Sequence, residues 1–121
     1  MKKKALVVDD NGSNLMLEKD LLEVAGFEVF VAESASNAIA IVRKEKPDVV
    51  LMDVRLPDMR GSDAARILRL DKDTCDIPIV FVTASVMAEG KAELHDIANT
   101  GFLGKPINTR TFAKEIRQFI K

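Results

Sequence analysis

Residues 47–61 read PDVVLMDVRLPDMRG, an apolar run that ends on an aspartate and continues into a loop closed by glycine. The run is short and has no polar alternation, so it reads as a strand buried on both faces, drawn from Asp48 to Met52. Such strands belong to parallel sheets covered by helices. In open α/β sheets ligands bind outside the carboxyl ends of the strands, and Asp53 stands at that end. An ionised carboxylate there needs a partner.

The same arrangement recurs in both directions along the chain. Lys4 to Val8 runs into Asp9 and Asp10, Ile79 to Val82 runs into Thr83, and a short strand around Phe102 and Leu103 is followed by Lys105; a further strand spans Glu28 to Ala32. Stretches of helical period separate them. Leu17, Leu21, Val24 and Ala25 mark one stripe, stopped at Gly26, and Ala38, Ile41 and Val42 mark a second, ended by Pro47. A third helix spans Ser62 to Leu70, with Ala65, Leu68 and Ile67 inward. Leu94, Ile97 and Ala98 carry a fourth, and Phe112, Ile116, Phe119 and Ile120 the last, with Asn108 as its cap. Short strands alternating with helices are the pattern of an α/β protein. Five βα units are too few to close a barrel, so the expected fold is a doubly wound, three-layer sandwich of five parallel strands and five helices. With 121 residues the chain forms one domain, residues 1–121.

Composition narrows the function. Lys plus Arg number 18 against 19 Asp plus Glu, and a net charge of −1 gives no general attraction for nucleic acid or an anionic membrane. The apolar stretch after the first lysines is cut by Asp9 and Asp10 too early for a signal peptide or membrane span, so a cytoplasmic protein is expected. Cys75, the only cysteine, can form no internal disulfide. His95 is expected on an outward helix face.

Asp9, Asp10 and Asp53, brought to one sheet edge, would repel unless a cation shared them. Mg²⁺ suits such a cluster, because it takes oxygen ligands and is commonly held by one or two carboxylates plus a phosphate oxygen. Lys105 is the natural ammonium partner of Asp53. An aspartate can accept a phosphoryl group covalently, and the loose transition state asks for cations and donors around the phosphoryl oxygens. Asp53 is therefore the candidate nucleophile. Mg²⁺, Lys105, the Thr83 hydroxyl and the backbone amides of Val54 and Ala84 are the candidate phosphoryl-binding groups.

Asp9-Asp10, the stretch from Asp53 to Gly61, Thr83-Ala84 and Phe102-Leu103-Gly104-Lys105-Pro106, in that order and at those spacings, closely resemble the receiver domain of two-component response regulators, of the single-domain, chemotaxis-regulator-like kind. The resemblance spans the chain. It implies a flavodoxin-like sheet of order 2-1-3-4-5 and makes Asp53 the phosphoacceptor. It also implies Mg²⁺ held by Asp10, Asp53 and the Arg55 carbonyl, with Asp9 acting through water. By the same likeness Thr83 and Phe102 form a switch, and the Lys105-Pro106 bond is cis.

Several positions depart from the commonest family pattern. Phe102 lacks the hydroxyl of a frequent tyrosine, and Ala98 stands where a glycine often ends the fourth helix, leaving Asn99 as the left-handed cap. Arg55 and Ser85 fall at variable positions bordering the path of the hydrolytic water. The resemblance implies transfer from a histidine kinase or histidine phosphotransfer protein to Asp53, and then loss of the phosphoryl group to water, without turnover of an external substrate. It further implies a downstream protein target docked on the face made by the fourth helix, fifth strand and fifth helix. No effector domain follows Lys121, so signalling is expected to pass through protein contacts unless the chain was excised from a longer regulator or hybrid kinase. An aspartate-nucleophile phosphatase of the same fold is disfavoured by Arg55, where a second acid is usual. The complete set of acids, threonine and lysine argues against a receiver that binds partners without phosphorylation.

Overall fold

A computed structural model of the chain describes residues 2–83, 99–105 and 107–120. Strands β1 (Lys4–Val8), β2 (Glu28–Ala32), β3 (Val49–Met52), β4 (Ile79–Thr83) and β5 (Thr100–Gly104) form one sheet in the order β2-β1-β3-β4-β5. Every pairing is parallel. The helices among the described residues are α1 (Gly12–Val24), α2 (Ala35–Glu45), α3 (Gly61–Leu70) and α4 (Phe112–Phe119). This α4 is the last helix expected from the sequence. The helix expected around Leu94, Ile97 and Ala98 lies outside the described residues, as do Ala84, Ser85, His95 and Pro106.

Strand alternation sorts the core into two layers. Leu6, Val8, Val50, Met52, Ile79 and Phe81 point to the side covered by α2 and α3, where they meet Ala38, Val42, Ala65 and Leu68. Ala5, Val7, Val49, Leu51, Val80 and Val82 point to the opposite side and meet Leu15 and Leu22 of α1 and Phe112 and Ile116 of α4. The inner strands are buried on both faces, so their sequences carry no polar alternation.

The boundaries differ from expectation in small, explicable ways. Asp48 sits just before β3: its amide donates to the Lys4 carbonyl at 2.8 Å and its carboxylate accepts from the Lys4 amide at 2.7 Å. Asn108 does not cap α4 directly. Its Oδ1 accepts from the Arg110 amide at 3.0 Å and its carbonyl from Thr111 and Phe112, building a turn that leads to Thr111 as the first flanking residue. Gly26, with φ of 100°, and Lys46, with φ of 47°, turn the chain out of α1 and α2. Asn99 adopts the expected left-handed conformation, with φ of 55°. A Cβ on Gly101 of β5 would overlap the Phe119 ring of α4, so any larger residue there needs that ring to move.

The inward stripe of α1 is a correction. Leu17 and Val24 are 43% and 89% exposed, whereas Leu15, Glu18 and Leu22 are buried. Seven apolar residues lie between positions 15 and 25, so two stripes compete in the sequence. The one that wins contains an acid, for which burial is ordinarily unfavourable.

Candidate functional site

The sheet places the site residues by continuing its ladder one step past the strands. The Asp53 amide donates to the Val8 carbonyl at 3.1 Å, the Asp9 amide to Ala32 at 3.1 Å, and the Lys105 amide to Thr83 at 2.9 Å. Alternation then decides which side each occupies. Asp9 follows Ala5 and Val7, Asp53 follows Val49 and Leu51, and Lys105 follows Leu103, all of which face α1 and α4. Thr83 follows Phe81 and shares the opposite side with Phe102, whose ring lies 6.0 Å from that of Phe81.

Asp9, Asp10 and Asp53 each present one carboxylate oxygen, and these oxygens lie within 4.8 Å of one another. Lys105 Nζ donates to Asp9 Oδ2 at 2.9 Å and to Asp53 Oδ2 at 3.1 Å. Three carboxylates against one ammonium leave two negative charges, the amount one divalent cation neutralises. The oxygen-only cluster, small and partly open, fits Mg²⁺ as its hard donors require. Asp9 is buried and also accepts from the Asn11 amide at 2.9 Å, while Asp10 is exposed. Asp53 is half-buried, and its second oxygen accepts from the Arg55 amide at 3.3 Å. Of the two sheet-edge carboxylates held by Lys105, Asp53 is the one open to an incoming reactant.

The loop after Asp53 is folded tightly back. Arg55 and Arg60 form an antiparallel bridge, and the Gly61 amide donates to the Val54 carbonyl at 2.7 Å. A Cβ on Gly61 would collide with the Asp53 carbonyl, so only glycine lets α3 begin so close to the acid. Asp58, in the same loop, accepts from the amides of Ala35 and Ser36, both at 2.9 Å, and from Ser36 Oγ at 2.7 Å. These bonds, that of the Ser36 hydroxyl first, lower its pKa to about 2 and tie the loop to the start of α2.

Two electrostatic consequences follow. Burial works against the Lys105 ammonium, yet its bonds to Asp9 and Asp53 outweigh that and hold its pKa above the ordinary lysine value. Glu18 is the residue that sequence reasoning missed. Burial, then the Asp9 charge, push its pKa up to about 7, with Lys105 opposing and Asp53 adding to the rise. The readable signal was its spacing, three residues after Leu15 and four before Leu22, which sets it on the inward stripe.

A sequence profile of the response regulator receiver domain matches residues 5–117. This chain belongs to that family. The polar-differentiation response regulator DivK of Brucella ovis is 30% identical over 120 residues, covering 99% of this chain and 98% of DivK. The chemotaxis response regulator CheY4 of Vibrio cholerae superposes with a TM-score of 0.92 at 31% identity, over 99% of this chain and all of that one. In fold alone the chain also resembles the receiver domain of a Pseudomonas aeruginosa sensor histidine kinase, with a TM-score of 0.90 at 23% identity over 98% of both chains; that structure has a magnesium ion coordinated in its active-site cleft. The protein is thus a CheY- and DivK-like receiver of two-component signalling, and the acid cluster lies at the carboxyl edge of its sheet.

Proposed function

We propose that Asp53 is the phosphoacceptor of this receiver and that the reaction requires Mg²⁺. An Asp53 oxygen attacks the phosphorus of a phosphohistidine on a histidine kinase or phosphotransfer protein. The new O–P bond forms as the N–P bond breaks, and its electron pair returns to the imidazole. Water later attacks the acyl phosphate, releases inorganic phosphate and restores the carboxylate. Asp10, Asp53 and the Arg55 carbonyl would hold the ion, with Asp9 acting through water. The ion supplies positive charge against the phosphoryl oxygens. Lys105, the Thr83 hydroxyl and the Val54 and Ala84 amides would receive those oxygens. The observation that carries this reading is the convergence of three carboxylates within 4.8 Å, one of them half-open and tied to the lysine that follows β5 at the same edge of the sheet.

In this reading residues 1–121 act as one domain that turns over no external substrate and works in the cytoplasm. Among the described residues no helix is long and apolar enough to cross a membrane. Charge added at Asp53 draws Thr83 and Lys105 inward and alters the burial of Phe102, which is half-buried on the same side of the sheet as Thr83. The downstream contact is a protein, docked on the face that includes β5 and α4, and neither nucleic acid nor membrane insertion is involved. The test is Asp53→Asn: hydroxylamine-sensitive labelling from a phosphorylated histidine kinase is expected to disappear, and undiminished labelling refutes the assignment.

A further inference from the structure

A cavity of about 90 Å³ is lined by Asn14, Leu17 and Glu18 of α1 and by Ile107 and Lys105, the lysine that holds Asp9 and Asp53. Glu18 is 3% exposed and lines this cavity. An apolar side chain would complete the stripe between Leu15 and Leu22. An acid kept there instead costs stability, because burial opposes its charge.

The cation on the same cavity is Lys105. Its ammonium has three donors. Asp9 and Asp53 take two of them, which leaves one for the cavity shared with Glu18. A space of this size with Glu18, Asn14 and Lys105 in its walls meets the requirements for an ordered water. The two carboxylates that now hold Lys105 are also members of the three-acid cluster. Ammonium and metal therefore compete for the same anions.

We infer that Glu18 is a positioning residue for Lys105: across this cavity, through a bridging water, its carboxylate gives the ammonium a second anchor, so that Asp9 and Asp53 are released to the metal. The inference rests on the proposed Mg²⁺ site. It explains why a buried acid occupies the α1 stripe opposite the end of β5.

The test is calorimetric titration of the metal-free full chain with magnesium chloride, for the wild type, Glu18→Gln, Lys105→Met and the double variant. Glu18→Gln is expected to bind Mg²⁺ roughly tenfold more weakly, the cost of losing one charge-assisted hydrogen bond. In the Lys105→Met background the same substitution is expected to change affinity by less than about twofold, since the group through which Glu18 acts is gone. A merely structural role would not vanish in that background. Equal affinity of wild type and Glu18→Gln overturns the inference while leaving the Mg²⁺ site intact. So does a Glu18→Gln effect that survives undiminished in Lys105→Met. If the wild type itself shows no saturable heat, the Mg²⁺ site falls and the inference falls with it.

Discussion

Replacing Glu18 by glutamine removes one ionisation and little else, and the structure fixes what that does to stability. The folded-state pKa is about 7 against a reference value of 4.5. An acid whose pKa rises on folding binds its proton more tightly in the native state, so stability falls as pH rises from the unfolded value through the folded one. At about 1.4 kcal/mol per pKa unit the full penalty is roughly 3 kcal/mol above neutrality and vanishes below about pH 4.5. The side chain is 3% exposed, so solvent screening removes little of this. Glu18→Gln should therefore exceed the wild type in stability by about 2–3 kcal/mol more at about pH 8 than at about pH 5. At the higher pH its thermal midpoint should be higher by about 10 °C. The chain has neither Trp nor Tyr, so far-ultraviolet circular dichroism is the readout, in chelator to keep metal binding out of the comparison. Asp9, Asp53 and Lys105 are present in both proteins, so their own titration differs between the two only through coupling to Glu18. Parallel pH profiles for wild type and variant would refute the assignment of a buried carboxyl whose ionisation opposes folding.

The other predictions follow from the loop that carries the acid and from the sheet edge. Gly61→Ala should destabilise the fold by about 1–3 kcal/mol, because the added methyl meets the Asp53 carbonyl; urea denaturation measures it, and phosphorylation should slow as the acid is displaced. Asp58→Asn should loosen the start of α2, seen as faster amide exchange at Ala35 and Ser36. Because the Asp58 pKa is lowered to about 2, its contribution in the wild type is present above the usual carboxylate pKa of about 3.9 and lost as pH falls through about 2, and the Asn variant should lack that acid dependence. Gly101→Ala should lower the unfolding midpoint by collision with Phe119, and Phe119→Leu in the same chain should restore part of the loss.

The sheet was legible because its strands are apolar runs bounded by polar residues: β1 and β2 begin and end where the sequence places them, and β4 extends only one residue further, to Thr83. The same runs aimed Asp9, Asp53, Thr83 and Lys105 at one edge, and the structure brings Asp9, Asp53 and Lys105 into contact. Helix α1 was less legible. Its apolar residues crowd both candidate stripes, and only packing into the core layer that holds Ala5, Val7 and Phe112 selects the stripe through Leu15 and Leu22. Glu18 was hidden by the expectation that acids face water. Asp58 gave no sign of its role, since a cap from a distant loop, 23 residues after Ala35, leaves no periodic trace. Asn108 was readable as a turn former, but the choice between direct cap and preceding turn depends on backbone geometry that spacing does not encode.

Borohydride trapping tests the central claim most directly. The chain is phosphorylated with Mg²⁺ and a phosphorylated histidine kinase, then reduced, which converts an aspartyl phosphate to homoserine, and the altered position is located by peptide mass mapping. Modification confined to Asp53 and abolished by chelator is the predicted result. Modification at Asp9 or Asp10, or a phosphoryl group that resists hydroxylamine and sits on a serine or threonine, would contradict the account.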